Sequence, residues 1–213
     1  MRRVLERLLT PAVLVVVACA AVAATPQRAP VRTEELLVSR AEIGRPGGQL
    51  VISQRGEPKT LNPVSSVDSL SSEVIKCMVA DLIHVNRETQ QSEPALAKAW
   101  TASPDGRRYT LTLRRGIRFS DGHPFDADDV VFSFRVYLDE KTGSRQRNLL
   151  IIAGQPITVR KVDQYTVQFD LGEARAAAER LFDSVAMLPR HLLERSYTEG
   201  RLAEAWGIST AAL

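Results

Sequence analysis

The hydrophobic period of the chain changes from two to about 3.6 residues between positions 101 and 139, and this change constrains the fold class. Tyr109, Leu111 and Leu113 alternate with threonines, which is the pattern of a half-buried β-strand. After a glycine-containing turn, apolar residues recur at helical spacing, so a helix is predicted over 126–139. Strand and helix patterns that follow each other this closely predict a mixed α/β lobe.

The carboxy-terminal half repeats this organisation. Alternating apolar and polar residues predict a second hairpin over 157–171. A helical stretch is predicted over 173–184, and Pro189 is expected at the start of a further helix. The last helical pattern covers 199–206.

Upstream, the short β-rich run 49–54 lies between glycines and predicts a buried strand. A helix is predicted over 68–85, with Asp68 or Ser69 able to cap its first turn. Cys77 lies on the apolar stripe of this helix and is interpreted as a core thiol.

The amino terminus has the pattern of a secretory signal peptide. Three arginines precede an unbroken apolar run over 12–24, which is shorter than the roughly 20 residues that a membrane-spanning helix needs. Pro11 disfavours extension of a helix from this run towards the amino terminus. We therefore predict a signal peptide of the lipoprotein type over 1–18.

The end of this apolar run allows two kinds of processing. Residues 16–19 resemble a bacterial lipobox, in which Cys19 becomes the first mature residue and carries a diacylglycerol on its thiol. The alternative is cleavage after Ala23 or Ala24, which gives a freely secreted protein. Residues 19–48 are predicted to be a tether between this anchor and the folded part, because 25–48 holds three prolines, several charges and few large apolar residues.

Composition excludes several classes of protein. Hydrophobic residues make up 44% and charged residues 25%, as in an ordinary globular domain. The net charge of +3 is small and both signs are interspersed, so no nucleic-acid surface is predicted. Two cysteines cannot build a disulfide framework.

The residues that could carry chemistry form no catalytic pattern. His84, His123 and His191 lie far apart, with no second ligand at helical spacing, so no metal site is predicted. No nucleotide-binding or nucleophile motif occurs, and no cofactor is expected. Asp128 and Asp129 are interpreted as solvated caps at a helix start. A binding protein therefore fits better than an enzyme.

Several segments together resemble the family 5 extracellular solute-binding proteins, the peptide- and dipeptide-binding receptors of bacterial ABC importers. Each segment is similar to a motif of the family, and the segments follow one another in the family's order. They lie at 56–63, 93–100, 103–122, 124–133 and 188–193. The resemblance covers about 49–193, and it assigns 49–213 to the amino-terminal part of a family 5 domain. Family members are more than twice as long, so we expect the second lobe and some strands of the first to be absent.

The resemblance implies the periplasmic-binding-protein-like fold of type II, here an incomplete first lobe. It implies capture of a di- or oligopeptide, or a similar solute, and delivery to a permease with ATPase subunits. The protein would then lie on the outer side of the cytoplasmic membrane, held by its lipid anchor, or free in the periplasm. In peptide-binding members the segment after the first loop faces the cleft, and the matching residues are Val67, Asp68 and Ser69.

The sequence is compatible with other interpretations. Within the family, the solute could be a metal chelate, an opine or an oligosaccharide. Outside it, an envelope hydrolase has no motif to support it, and a non-transporting remnant is a third alternative. Asp68 and Ser69 could serve only as helix caps. The Asp121–Gly122 turn and the Asp126 cap are expected to serve folding rather than ligand contact.

Overall fold

A computed structural model describes residues 35–36, 44–45, 47–49 and 51–206. The predicted signal peptide, the predicted lipidation site Cys19 and most of the predicted tether lie outside these residues. Within the described ranges, every helix is too short or too polar to cross a membrane.

The described residues alternate between helices and short strands. The strands are β1 (Ile83–Val85), β2 (Ser92–Pro94), β3 (Ala97–Ala102), β4 (Arg108–Leu113), β5 (Ile151–Ile152), β6 (Gln155–Pro156), β7 (Thr158–Asp163) and β8 (Thr166–Asp170). The helices are α1 (Ser69–Met78), α2 (Ala127–Leu138) and α3 (Arg190–Thr198). Short 3₁₀ turns cover Glu140–Thr142, Arg145–Leu150, Ala178–Asp183 and Leu202–Trp206. The expected mixed α/β lobe is confirmed.

The predicted strand around Leu111 and the predicted hairpin over 157–171 belong to one antiparallel sheet, in the order β3-β4-β8-β7. The register of β4 and β8 places Leu111 opposite Val167 and Tyr109 opposite Phe169. All four side chains are buried, whereas the threonines between them face the other side of the sheet. The alternation in the sequence therefore identified the core face of the sheet correctly.

Helix α2 covers that core face. The rings of Phe134 and Phe169 meet edge to face, with centroids 4.9 Å apart. The Asp126 carboxylate accepts a hydrogen bond from the backbone N–H of Asp128 at 2.8 Å, and the Asp129 carboxylate accepts one from the backbone N–H of Asp126 at 3.0 Å. This capping box confirms the predicted helix start.

The predicted Asp121–Gly122 turn forms, and so does a turn at Asp105–Gly106. The N–H of Gly106 donates to the carbonyl of Ser103 at 2.9 Å, and that of Gly122 donates to the carbonyl of Phe119 at 2.9 Å. The φ of Gly122 is +88°, a conformation that side chains with a Cβ rarely adopt. The turn before α2 therefore depends on a glycine at this position.

The helix predicted over 68–85 is too long, since α1 ends at Met78 and β1 follows. The backbone after Val79 is bound elsewhere: the carbonyl of Ala80 accepts from the N–H of Met187 at 3.0 Å, and that of Leu82 accepts from the N–H of Ala97 at 2.9 Å. These tertiary hydrogen bonds compete with helical ones, so the local pattern does not decide this segment.

Two other predictions for the amino-terminal half are wrong. Cys77 is exposed, because it lies two residues beyond the buried Ile75 and so points to the opposite side of α1. No strand forms in the described part of 49–54, where Val51 is 78% and Ile52 is 66% exposed. A strand requires a hydrogen-bonded neighbour, and none of the described strands pairs with this run.

The segment between β8 and α3 is less helical than predicted. Only the 3₁₀ turn Ala178–Asp183 forms within 173–184, and Ala177 before it has a left-handed φ of +52° that interrupts a helix. Pro189 precedes α3 as expected and serves as its N-cap residue. The pattern over 199–206 also gives a 3₁₀ turn instead of an α-helix.

Part of the predicted tether contacts the sheet. The carboxylate of Glu35 lies 2.8 Å from the ammonium of Lys98 on β3. The backbone N–H of Glu35 donates to the carbonyl of Arg115 at 2.8 Å. Residue 35 of the predicted tether therefore lies beside the hairpin that β3 and β4 form.

Candidate functional site

The three residues predicted to bind ligand lie at the start of α1. Asp68 is the N-cap, and its carboxylate accepts a hydrogen bond from the backbone N–H of Ser71 at 2.8 Å. The hydrogen bonds from Ser71 lower the pKa of Asp68. Ser69 is exposed, and so is the side chain of Val67, at 59%. The carbonyl of Val67 accepts a hydrogen bond from the guanidinium of Arg145 at 3.1 Å.

Beside this helix start lies a cavity of about 580 Å³, here named the α1 cavity. Its lining residues include Ser66 and Ser72, which flank the predicted site, and Ile75 and Lys76 on α1. Its volume is within the range of about 300–1,000 Å³ that is typical of small-molecule sites. The opposite walls come from β1, from α2 and from the segment before α3.

Two acidic residues that are far apart in sequence line the same cavity, Asp81 before β1 and Asp183 before α3. The carboxylate of Asp183 is fixed, because it accepts a hydrogen bond from the backbone N–H of Val85 at 2.9 Å. The Nδ1 atom of His84 lies 3.7 Å from it. Burial, together with the negative charge of Asp183, raises the pKa of Asp81 from its ordinary value of 3.8 to about 7.

Two buried hydroxyl groups of the cavity lining are without hydrogen-bond partners in the described part of the chain. They belong to Ser66 and to Tyr137, whose side chain is fully buried on α2. Burial is the main cause that raises the pKa of Tyr137, and the charge of Asp81 adds to it, whereas the backbone amide of Ala186, which lies near the hydroxyl without forming a hydrogen bond of normal geometry, opposes it. An unpartnered buried hydroxyl costs free energy, so such groups mark positions that a bound molecule can satisfy.

Basic residues line the cavity as well. Lys76 projects from α1 and Arg87 follows β1, and neither is in an ion pair with any described residue. The positive charge of Lys76 opposes the rise in the pKa of Asp81. The lining therefore offers both signs of charge and hydroxyl groups, which suits a polar solute.

The histidines that are far apart in sequence partly come together in space. The rings of His123 and His191 stack with centroids 3.8 Å apart, and the Nε2 atom of His191 lies 2.6 Å from a carboxylate oxygen of Asp121. The hydrogen bond from His191 is the main cause that lowers the pKa of Asp121. His84 lines the α1 cavity instead. Among the described residues, no group of three or more histidine, cysteine or acidic side chains is arranged to hold a metal ion.

The prediction of two solvated caps is wrong for Asp129. Asp128 is partly exposed and pairs with the ammonium of Lys161 at 2.8 Å. Asp129 is only 4% exposed, and besides its bond to Asp126 its carboxylate accepts a hydrogen bond from the backbone N–H of Arg190 at 3.0 Å. Asp129 therefore joins the start of α2 to the start of α3, a long-range contact that no sequence spacing indicates.

The sequence did not predict the α1 cavity itself. Ser66, Asp81, Tyr137 and Asp183 come from four separate segments, and only the fold brings them together. One signal was present, since Asp81 interrupts an otherwise apolar stripe at helical spacing. A carboxylate in such a position indicates either a wrong helix boundary or a functional role, and here the helix boundary was wrong.

Residues 91–207 match the model of the bacterial extracellular solute-binding proteins, family 5 Middle. This match covers more than half of the chain. The chain belongs to this family, whose members are solute-binding proteins rather than enzymes.

Curated relatives in this family carry different names. The periplasmic alpha-galactoside-binding protein of Rhizobium meliloti is 40% identical over 96 residues, which are 45% of this chain and 14% of that protein. The oligopeptide-binding protein AppA of Bacillus subtilis is 30% identical over 159 residues, which are 73% of this chain and 28% of that protein. The chain therefore spans less than a third of the length of either relative.

A solved structure shows the same fold. The ABC transporter substrate binding protein CtaP of Listeria monocytogenes is 33% identical and superposes with a TM-score of 0.63. The match covers 70% of this chain and 30% of that one. The periplasmic-binding-protein-like architecture that the sequence implied is thereby confirmed.

Proposed function

We propose that this protein is the solute-capturing component of a bacterial ABC importer and that its solute is a di- or oligopeptide. The single observation that carries the proposal is the family match over residues 91–207. The oligopeptide-binding relative, which aligns with 73% of this chain, supports a peptide as the solute. The importer's permease and its ATPase subunits are the partners that this function requires.

In this proposal, the solute enters beside the amino-terminal end of α1. Val67 and Ser69 are exposed residues beside the start of α1, and a helix start offers N–H groups to a negatively charged group. Backbone hydrogen bonds to an extended peptide give affinity that depends little on the peptide's sequence. Asp68 keeps its role as cap and holds this helix start in place.

A second candidate is a non-peptide solute, and one observation favours it. The relative with 40% identity is named for α-galactoside binding, although it aligns with only 45% of this chain. Hydroxyl-rich solutes bind through neutral hydrogen-bonding groups, and Ser66, Ser72 and Gln146 of the cavity lining are of this type.

Binding calorimetry on the purified protein distinguishes these candidates. A mixed library of di- to nonapeptides is titrated in one series and an α-galactoside, raffinose, in another. The proposal expects heat from the peptides and none from raffinose. Binding of raffinose without binding of any peptide would favour the non-peptide solute. Absence of binding in both series would contradict peptide capture.

We further propose that the protein works on the outer side of the cytoplasmic membrane, anchored through a lipid on Cys19. The support is the apolar run with its lipobox-like end in the sequence. The variant Cys19→Ser is expected to leave the membrane fraction, while the matched variant Cys77→Ser, at an exposed cysteine, stays there. Retention of both variants on the membrane would contradict lipid anchoring.

A further inference from the structure

The open end of the β3–β4 hairpin, opposite its turn, carries three positive charges. Lys98 lies near the start of β3, and Arg114 and Arg115 follow the end of β4; these three residues are here named the basic hairpin end. The Nε atom of Arg114 donates to the carbonyl of Ala95 at 2.7 Å, and the guanidinium of Arg115 lies over the ring of Tyr165, 5.1 Å from its centroid. The charges of both arginines therefore stay close to Lys98.

Glu35 contacts every residue of the basic hairpin end. Its carboxylate oxygens accept hydrogen bonds from Nζ of Lys98 at 2.8 and 2.9 Å. Its backbone N–H donates to the carbonyl of Arg115 at 2.8 Å, and the backbone N–H of Arg115 donates to the Glu35 carboxylate at 3.3 Å. The guanidinium of Arg114 donates to the backbone carbonyl of Glu35 at 3.2 Å. One residue thus bonds to both strand ends of the hairpin.

This contact differs from an ordinary surface ion pair. An isolated exposed ion pair fixes two side chains and contributes little. Here the carboxylate, the N–H and the carbonyl of Glu35 are all bonded, so the position of its backbone is fixed as well. The hydrogen bond from Lys98 is the main cause that lowers the pKa of Glu35, so the carboxylate is charged at neutral pH. Within the described part of the chain, this is the ion pair that the basic hairpin end forms.

We propose that the basic hairpin end is a docking site for the chain's own segment around Glu35, and that the contact is a reversible clasp on the tether. The charge of the segment fits this role, because Glu34 and Glu35 are adjacent acids. The side chains of Lys98 and Glu35 are 35% and 36% exposed, so water and salt compete with the ion pair. The clasp should therefore open much more easily than the lobe unfolds.

The clasp would set how far the lobe can lie from its anchor. This consequence rests on the proposed lipid anchor at Cys19. The 16 residues from Cys19 to Glu35 span at most about 55 Å, whereas the 30 residues from Cys19 to Gln49 span up to about 100 Å. A closed clasp thus keeps the hairpin end within about half the distance from the membrane that the whole tether would allow.

The test places a nitroxide spin label next to the clasp and follows the amide signals of the isotopically labelled protein. In the full chain with Cys19→Ser and Cys77→Ser, the variant Val31→Cys supplies a single thiol for the label. The four residues from this position to Glu35 span at most about 14 Å. We expect the label to broaden the amide signals of the basic hairpin end.

Two charge reversals show whether Glu35 holds the segment. Glu35→Lys places a fourth positive charge against the basic hairpin end, so the broadening should disappear. Glu88→Lys makes the same change at an exposed acid outside the clasp and should leave the broadening intact. The melting temperature should be the same in both variants, because exposed charges contribute little to stability. This control separates release of the segment from unfolding.

Broadening that persists in Glu35→Lys, or no broadening while Glu35 is present, overturns the clasp. The membrane fractionation of Cys19→Ser, described above, separates the clasp from the anchor. If the broadening occurs but Cys19→Ser stays on the membrane, the clasp stands and the proposed lipid anchor fails. If Cys19→Ser leaves the membrane but the broadening is absent, the anchor stands and the clasp is refuted.

Discussion

The carboxylate of Asp129, in the first turn of α2, accepts a hydrogen bond from the backbone N–H of Arg190 at the start of α3, at 3.0 Å. One turn further along α2, the hydroxyl of Ser133 accepts a hydrogen bond from the backbone N–H of Leu188 at 2.8 Å. The segments 124–133 and 188–193, which both resemble family 5, are therefore in direct contact. Their polar residues connect two helices within the lobe.

Replacing Asp129 should destabilise the fold far more than replacing its neighbour. Asp129→Ala leaves the backbone N–H groups of Asp126 and Arg190 without their acceptor, so we expect a loss of about 2–4 kcal/mol in the free energy of unfolding. Asp128→Ala removes a partly exposed ion pair and should cost less than about 1 kcal/mol. Urea denaturation measures both, and equal losses would contradict the assigned role of Asp129.

The hydroxyl of Ser133 should matter for the same reason. It donates to the carbonyl of Asp129 at 2.7 Å and accepts from Leu188, and Ser133 is fully buried. Ser133→Ala should cost about 1–3 kcal/mol, because the buried N–H of Leu188 loses its acceptor. Ser196→Ala on α3 is the control and should change the free energy of unfolding by less than about 0.5 kcal/mol. If Ser133→Ala left the free energy of unfolding unchanged, the backbone N–H of Leu188 would have found another acceptor.

These contacts show which parts of the molecule the sequence could predict. Strand β4 and the start of α2 depend on local features, namely the alternation around Leu111 and the Asp126 cap, so both were predicted. The end of α1 and the role of Asp129 depend on residues about 60 or more positions away, such as Met187 and Arg190, so neither could be predicted. The α1 cavity belongs to this second group.

Two tyrosines offer a matched test of the unpartnered hydroxyl. Tyr197→Phe removes a hydrogen bond to the carboxylate of Asp139, 2.8 Å long, and should lower the free energy of unfolding by about 1 kcal/mol. Tyr137→Phe removes a buried hydroxyl that has no partner among the described residues, so the melting temperature should stay the same or rise. A clear loss in Tyr137→Phe would show that its hydroxyl is bound within the folded protein.

Asp81 should make the protein less stable as the pH increases from about 4 to about 7. The folded state holds the Asp81 proton up to a pKa of about 7, whereas the unfolded chain releases it near 3.8, so the folded state binds more protons in this interval. Asp81→Asn removes this contribution. Thermal unfolding should therefore show variant and wild type alike near pH 4, and the variant more stable at pH 8. A variant less stable than wild type at pH 8 would contradict the repulsion between Asp81 and Asp183.

The most direct test of the central claim, that the α1 cavity holds the solute, is to map which backbone amides respond to a bound peptide. The amide chemical shifts of the labelled protein are recorded with and without a saturating peptide from the calorimetric library. The largest shifts are expected at residues 66–72, at Asp81 and at 183–186, with none at a second, smaller concavity beside Arg108 and Asp170. Shifts concentrated at that second concavity, with the residues of the α1 cavity unchanged, would contradict the account.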